Sequence, residues 1–420
     1  MKGEHAGPVR PTERLRLLDA MRGFALLGIL FVNLTWFTGF AVLSPEERVA
    51  LGTESIDAIV YWLINVLVDS KFWTLFALLF GVGIAIQSER AQQRGVAFAP
   101  LFVRRMLILL LIGLAHAVFI WFGDIVSLYA FVGLGLLLFL RCDERRLLGW
   151  GLALVLSPIA VSGAWLAVHL ATVDPAAPAV NPGHGPAEML ARFSAGTYLQ
   201  ALDANWQFLV ERWVRAVYTS RFLSLLGIFL LGFYVGRRGV FHAPERHGRL
   251  LRRVAVCGLL IGIPANVYIV LAGVPLRPPS VEGWLVASVA AIGHLALALA
   301  YASLFTMAWS RPLVRRMLSP LAFAGRLSLT NYVLQSVVGV AFFYGYGLGW
   351  WGRFGITWGL VFLVALFGFQ VLLSAWWLRH FAFGPLEWVW RCLTYGRRLP
   401  LRAGARRETA AGRDAAREAG

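Results

Sequence analysis

Two residues in the stretch GLAHAVFIWFGDIVSLYAF (113–131) have the types and spacing for proton transfer. His116 lies inside an apolar run, and Asp124 follows Gly123 at its end. A carboxylate that orients an imidazole makes a base able to take the proton of an amine or hydroxyl near neutral pH. The same residues also fit plainer roles. Asp124 can cap the next helix by accepting a backbone N–H. His116 can be a hydrogen-bonded core histidine.

Other polar residues interrupt apolar runs. The first such run, LLDAMRGFALLGILFVN (17–33), carries an acid, a base and an amide. Arg22 and Asn33 are eleven residues apart, about three helical turns, and Asp19 is within one turn of Arg22, so the three share a face. A charge at the bilayer centre costs about 2.5–3.5 kcal/mol, so this face must turn inwards. Asp19 and Arg22 can pair at the inner membrane edge or line a vestibule, and Asn33 is a candidate site residue nearer the far end. In GRLSLTNYVLQS (325–336), Ser328, Asn331 and Gln335 recur at i, i+3 and i+7. That stripe suits a substrate groove or hydrogen bonds between packed helices. Lys71 is one of only two lysines among 39 basic residues. Its compact ammonium fits a substrate contact or snorkelling to the interface. Arg221, in YTSRFLSLLG, can snorkel or pair with Asp124.

Helices must position these groups. The chain has 420 residues, 59% hydrophobic and 15% charged, against about 25% charged in a soluble domain. Long apolar runs recur, so the expected fold is all-α, a polytopic transmembrane bundle. About ten spans are expected, near 17–40, 70–88, 101–122, 125–141, 147–170, 219–236, 251–272, 284–309, 320–345 and 355–379. Residues 55–68 form a shorter apolar stretch suited to an interfacial or re-entrant helix. Every second connection is basic, among them RCDERR (141–146) and SRPLVRR (310–316). The positive-inside rule puts these, and both termini, in the cytoplasm.

The expected organisation is a cytoplasmic segment 1–16, an N-terminal membrane bundle 17–170 and an extracytoplasmic segment 171–218. A C-terminal bundle with an interfacial helix follows at 219–396, then a disordered basic cytoplasmic tail at 397–420. The first apolar run is too long for a cleaved signal peptide. The net charge of +17 sits in short clusters between apolar runs, which excludes a nucleic-acid partner in favour of membrane topology. Cys142, Cys257 and Cys392 give neither a disulfide framework nor metal spacing, and the eight histidines have no ligand-like grouping, so no metal is expected.

LDAMRGFALLGILFVN, KFWTLFALLFGVG, GLAHAVFIWFGDIVSLYA, GRLSLTNYVLQS and GPLEWVWRCLTYG together resemble the YeiB-like family of bacterial inner-membrane proteins, whose C-terminal half is a domain of unknown function. The resemblance spans roughly residues 14–398. It implies a place in a superfamily of transmembrane acyltransferases that includes heparan-alpha-glucosaminide N-acetyltransferase, which shares the D-x-x-R-G opening and V-N end of the first span. There the asparagine is catalytic, as is a histidine eleven positions later. The asparagine maps to Asn33, but eleven positions on stands Ser44.

The resemblance thus implies acyl transfer from a cytoplasmic acyl-CoA, held by its phosphates at Arg104 and Arg105, to an extracytoplasmic hydroxyl or amine. Either His116 stands in for the missing histidine, with Asp124 orienting it and Asn33 donating to the oxyanion, or the chemistry differs, or there is none. Lys71, Arg221, Asp19, Arg22 and the stripe Ser328, Asn331 and Gln335 are the substrate-binding candidates. Expected partners are membrane lipids and a small-molecule or glycan-like acceptor, with a homo-oligomer as a candidate state. The competing expectation is a transporter or exporter of a small amphiphile, with the polar faces lining its path.

Overall fold

The computed structural model describes residues 15–172, 186–273 and 280–402. The basic N-terminal residues, most of the Pro- and Ala-rich connection expected on the extracytoplasmic side and the end of the C-terminal tail lie outside the described residues. Within them every regular element is a helix, and an isolated bridge joins Phe381 and Arg402.

In chain order, α1 (Arg16–Phe37) leads to two short helices, α2 (Pro45–Ala50) and α3 (Glu54–Leu63). A π-helical turn at Ile64–Val68 joins α3 to α4 (Lys71–Gln93). Then come α5 (Phe98–Phe119), α6 (Val126–Leu134), α7 (Glu144–Val155) and α8 (Ser157–Thr172). The second half comprises α9 (Pro186–Ser194), α10 (Tyr198–Tyr218), α11 (Arg221–Arg237), α12 (Gly248–Ala272), α13 (Val281–Trp309) and α14 (Pro312–Leu318). It ends with α15 (Leu321–Arg326), α16 (Ser328–Phe343), α17 (Ile356–His380) and α18 (Pro385–Tyr395).

Helices occupy all ten expected span positions. Among the described residues, seven segments are long and apolar enough to cross a membrane, or eight if the bent pair Tyr198–Val217 and Arg221–Arg237 counts as one span. Val126–Phe139 and Ser328–Phe343 are shorter. The expected span 320–345 is split, because the chain breaks between α15 and α16 at Leu327. The stretch 55–68 runs almost continuously into α4.

Helix α1 is the hub, with most of its residues buried. Its crossing with α15 is very close: a Cβ on Gly23 would meet the Leu321 carbonyl, and one on Gly325 would meet the Asp19 carbonyl. Only glycine lets these backbones touch. The pair α4–α11 uses the same device, with Gly81 against the Phe229 carbonyl and Gly232 against that of Leu78. Both of these helices open on a serine in the left-handed region, Ser70 (φ 66°) and Ser220 (φ 50°). The ends of α4 and α11 and the starts of α1, α5 and α12 bring the basic connections to one end of the bundle. There Arg237 donates to the carbonyl of Cys142 at 2.7 Å and to that of Leu140 at 2.5 Å, and Arg238 pairs with Glu144 at 2.8 Å.

Candidate functional site

His116 sits in the last turn of α5, and Asp124 sits in the loop before α6; both are buried. His116 Nδ1 is 3.0 Å from Asp124 Oδ1. The other carboxylate oxygen accepts the backbone N–H of Ser127 at 2.6 Å. Asp124 therefore does both things its sequence position allows: it tethers the start of α6 and holds the imidazole. An ionised carboxylate only accepts, so Nδ1 carries the proton and Nε2 is left as the basic nitrogen. Nε2 is buried and has no hydrogen-bond partner among the described residues.

The loop that carries Asp124 is pinned from two sides. Tyr332 on α16 donates to the Gly123 carbonyl and accepts from Ile125 N–H, both at 3.2 Å. Asn205 on α10 accepts from Phe122 N–H at 3.2 Å and donates to the Val118 carbonyl at 3.1 Å. Tyr332 was not singled out in the sequence. The signal was there: it is one turn after Ser328, and both line the cavity.

Below this loop a cavity of about 300 Å³ runs between α1, α4, α5, α16 and α18. That is at the lower end of ligand-pocket sizes. Its walls are polar at one end and apolar at the other. Arg22, Arg90, Arg94, Arg105, Arg326 and Arg391 gather at the basic end of the bundle, with Asp19 and Glu387. Leu26, Ile29, Phe76, Phe80, Met106 and Leu109 line the rest, up to Ile125, Tyr129 and Tyr332. Arg22 bonds Asp19 Oδ1 at 3.2 Å, one turn away on α1. Glu387 accepts from Leu329 N–H (2.8 Å), Thr330 N–H (3.1 Å) and Thr330 Oγ1 (2.5 Å), so α18 caps the start of α16. Burial pushes the Glu387 carboxyl above its ordinary range, against the opposing pull of those hydrogen bonds.

The remaining candidates divide. Ser328 lines the cavity, but its stripe partners do not. Asn331 Nδ2 bonds Ser374 Oγ at 2.9 Å, and Gln335 Nε2 bonds Gln370 Oε1 at 2.9 Å, so both join α16 to α17. Arg104 and Arg105 point apart. Arg105 faces the cavity with its guanidinium 4.1 Å from the Trp390 ring, whereas Arg104 lines a separate outer groove beside Leu107 and Leu393. Lys71 does not snorkel: it is 1% exposed, and its ammonium donates to the Asn65 carbonyl of the π-helical turn at 2.6 Å. Arg221 lies over the Trp73 ring at 5.1 Å, and Asp124 is satisfied by His116 and Ser127 instead. Asn33 is buried one turn beyond Ile29, the last α1 residue of the cavity wall, and its amide has no hydrogen bond among the described residues. One turn further, Phe37 and Trp36 pack on Trp121 and Phe122 of the His116–Asp124 loop.

Fold and site define a class: a helical bundle of membrane type enclosing a cavity with an arginine-rich end, beside a buried imidazole–carboxylate pair. The chain belongs to the family of YeiB and YxaH. It is 31% identical over 403 residues to the uncharacterized protein YxaH of Bacillus subtilis (strain 168), covering 92% of this chain and 96% of that one. It is 30% identical over 414 residues to the uncharacterized protein YeiB of Escherichia coli (strain K12), covering 91% and 96%. An uncharacterized 39.9 kDa protein from the amylase 3' region of Bacillus acidopullulyticus is 28% identical over 399 residues, covering 94% and 97%. Residues 235–397 match the model of a family described as a protein of unknown function, DUF418. That match takes in Tyr332, Glu387 and Trp390 of the cavity, whereas His116 and Asp124 precede it.

Proposed function

We propose that this chain is an acyltransferase of the bacterial inner membrane. It passes an acyl group from a cytoplasmic acyl-CoA to a hydroxyl or amine acceptor on the outer side. This assigns the basic end of the bundle to the cytoplasm and places the chain in the transmembrane acyltransferase superfamily. The observation that carries the reading is His116, tied to Asp124 through Nδ1 with Nε2 buried and unpartnered among the described residues, beside the wall of a cavity whose arginines suit phosphates.

In this reading the arginines hold the donor's phosphates and the thioester reaches up past Ile29. For Nε2 to take the proton of the acceptor as its oxygen or nitrogen attacks the thioester carbon, the Tyr332 side chain between the imidazole and the cavity must first turn aside. The C–S bond then breaks, the acyl group stays on the acceptor, and the imidazolium returns the proton to the leaving CoA sulfur. Asp124 keeps the imidazole oriented and stabilises its charged form. Asn33 donates to the oxyanion that develops on the carbonyl.

The reading is tested by acyl transfer in inverted membrane vesicles, with labelled acyl-CoA outside and label counted on extracted acceptors. Asn33→Ala is expected to lower the rate about 10²–10³-fold; a full rate in Asn33→Ala removes it from the mechanism. The cavity's polar and apolar ends also suit an amphiphile carried across the bilayer. Movement of a labelled amphiphile in the absence of any acyl-CoA would favour that second reading.

A further inference from the structure

The walls of the cavity say what length of chain belongs in it. On α1, Arg22 is the last charged residue facing inwards, and Leu26 and Ile29 continue the wall. Seven residues of helix separate Arg22 from Ile29, about 10 Å at 1.5 Å per residue. On α4 the polar end stops at Gln87, and Gly83, Phe80 and Phe76 follow. That stretch is eleven residues, about 16 Å. Beyond the arginines the cavity is therefore an apolar slot several times longer than an acetyl group. A short acyl group leaves most of that surface uncovered.

We infer that the cavity takes an amphiphile with a phosphate-bearing head among the arginines and a long hydrocarbon chain along Leu26, Ile29, Phe80 and Met106. Two sources supply that chemistry: a long-chain acyl-CoA from the cytoplasm and an anionic phospholipid from the inner leaflet. The inference rests on the donor-site reading of the cavity, but it does not require the His116–Asp124 pair.

Gly83 gives the means to test it. It stands where the polar and apolar walls meet, and a Cβ there would meet only the tips of two flexible side chains, Arg22 Nη2 at 3.0 Å and Gln87 Nε2 at 3.9 Å. A Cβ at this position meets no backbone atom, and Gly83 lines the cavity, so a leucine here is expected to narrow the slot.

The experiment measures binding of acetyl-CoA and decanoyl-CoA to the full chain in phosphatidylcholine nanodiscs. Buried methylenes strengthen binding, so decanoyl-CoA is expected to bind at least about tenfold more tightly than acetyl-CoA. Gly83→Leu is expected to abolish that preference while acetyl-CoA still binds, which also shows that the variant is folded. His116→Gln is expected to keep the preference, so a failure of the catalytic reading is seen separately. Phosphatidylglycerol in the disc that displaces decanoyl-CoA assigns the slot to the leaflet lipid, and no displacement assigns it to acyl-CoA. Equal affinity for the two thioesters overturns the inference, as does a folded Gly83→Leu protein that keeps the preference.

Discussion

Tyr332 packs against His116 with ring centroids 5.1 Å apart, and it also forms part of the cavity wall. The imidazole is thus one side chain removed from the cavity, and the loop that carries its carboxylate partner hangs on the Tyr332 hydroxyl.

Tyr332→Phe keeps the ring and removes both of those hydrogen bonds. Leaving a buried carbonyl and N–H without a partner costs about 1–3 kcal/mol. The melting temperature is expected to fall, and acyl transfer is expected to fall about tenfold or more as Asp124 loses its fixed position. Thermal unfolding and transfer rates on the same preparation check both.

His116→Gln removes the base and is expected to reduce transfer by about 10²–10⁴-fold. Asp124→Asn keeps the size of the side chain but weakens its hold on Nδ1–H, and is expected to give a smaller loss. Rates for the two variants in the vesicle assay give the order directly. A larger loss in Asp124→Asn than in His116→Gln would mean that the carboxylate, not the imidazole, is the essential base.

Arg104 and Arg105 are chain neighbours that should behave differently. Arg105→Ala removes a cavity guanidinium and is expected to raise the KM for the donor about tenfold. Arg104→Ala alters a separate groove and is expected to leave KM within about twofold. Donor titrations of the two variants separate them.

Glu387 makes the docking of α18 on α16 depend on pH. Its carboxyl is raised in the folded chain by burial, so the folded state holds the proton more tightly than the unfolded state. The resulting stability is present below the ordinary carboxyl pKa and is lost as pH rises through the raised value. The wild-type melting temperature is expected to fall, relative to Glu387→Gln, across that window. Melting curves of both proteins over a pH series check the sign.

Much of the helical layout was legible because apolar runs of the right length leave few alternatives. The break at Leu327 was not, although Gly325, Arg326 and Ser328 interrupt the apolar run there. His116 and Asp124 were legible as a pair because a carboxylate just past the end of a helix can reach back one turn. The stripe Ser328, Asn331 and Gln335 was legible only as a stripe. Which neighbour each residue meets depends on how α16 is rotated between the cavity and α17, and periodicity does not encode that rotation. Lys71 misled for a related reason. A lysine at the end of an apolar run ordinarily reaches for the interface, but here the π-helical turn offers it a carbonyl inside the protein. The cavity itself was invisible, because Arg90 on α4, Arg326 on α15 and Glu387 and Arg391 on α18 meet only in the folded bundle.

The central claim is that His116 is the base for transfer of an acyl group from a CoA thioester. Its most direct test is CoA thiol release from decanoyl-CoA by the purified full chain, with hydroxylamine as the acceptor. The predicted result is release above the protein-free rate, abolished in His116→Gln and slowed in Arg105→Ala. Release at the wild-type rate in His116→Gln, or no release above the protein-free rate by the wild type, would contradict it.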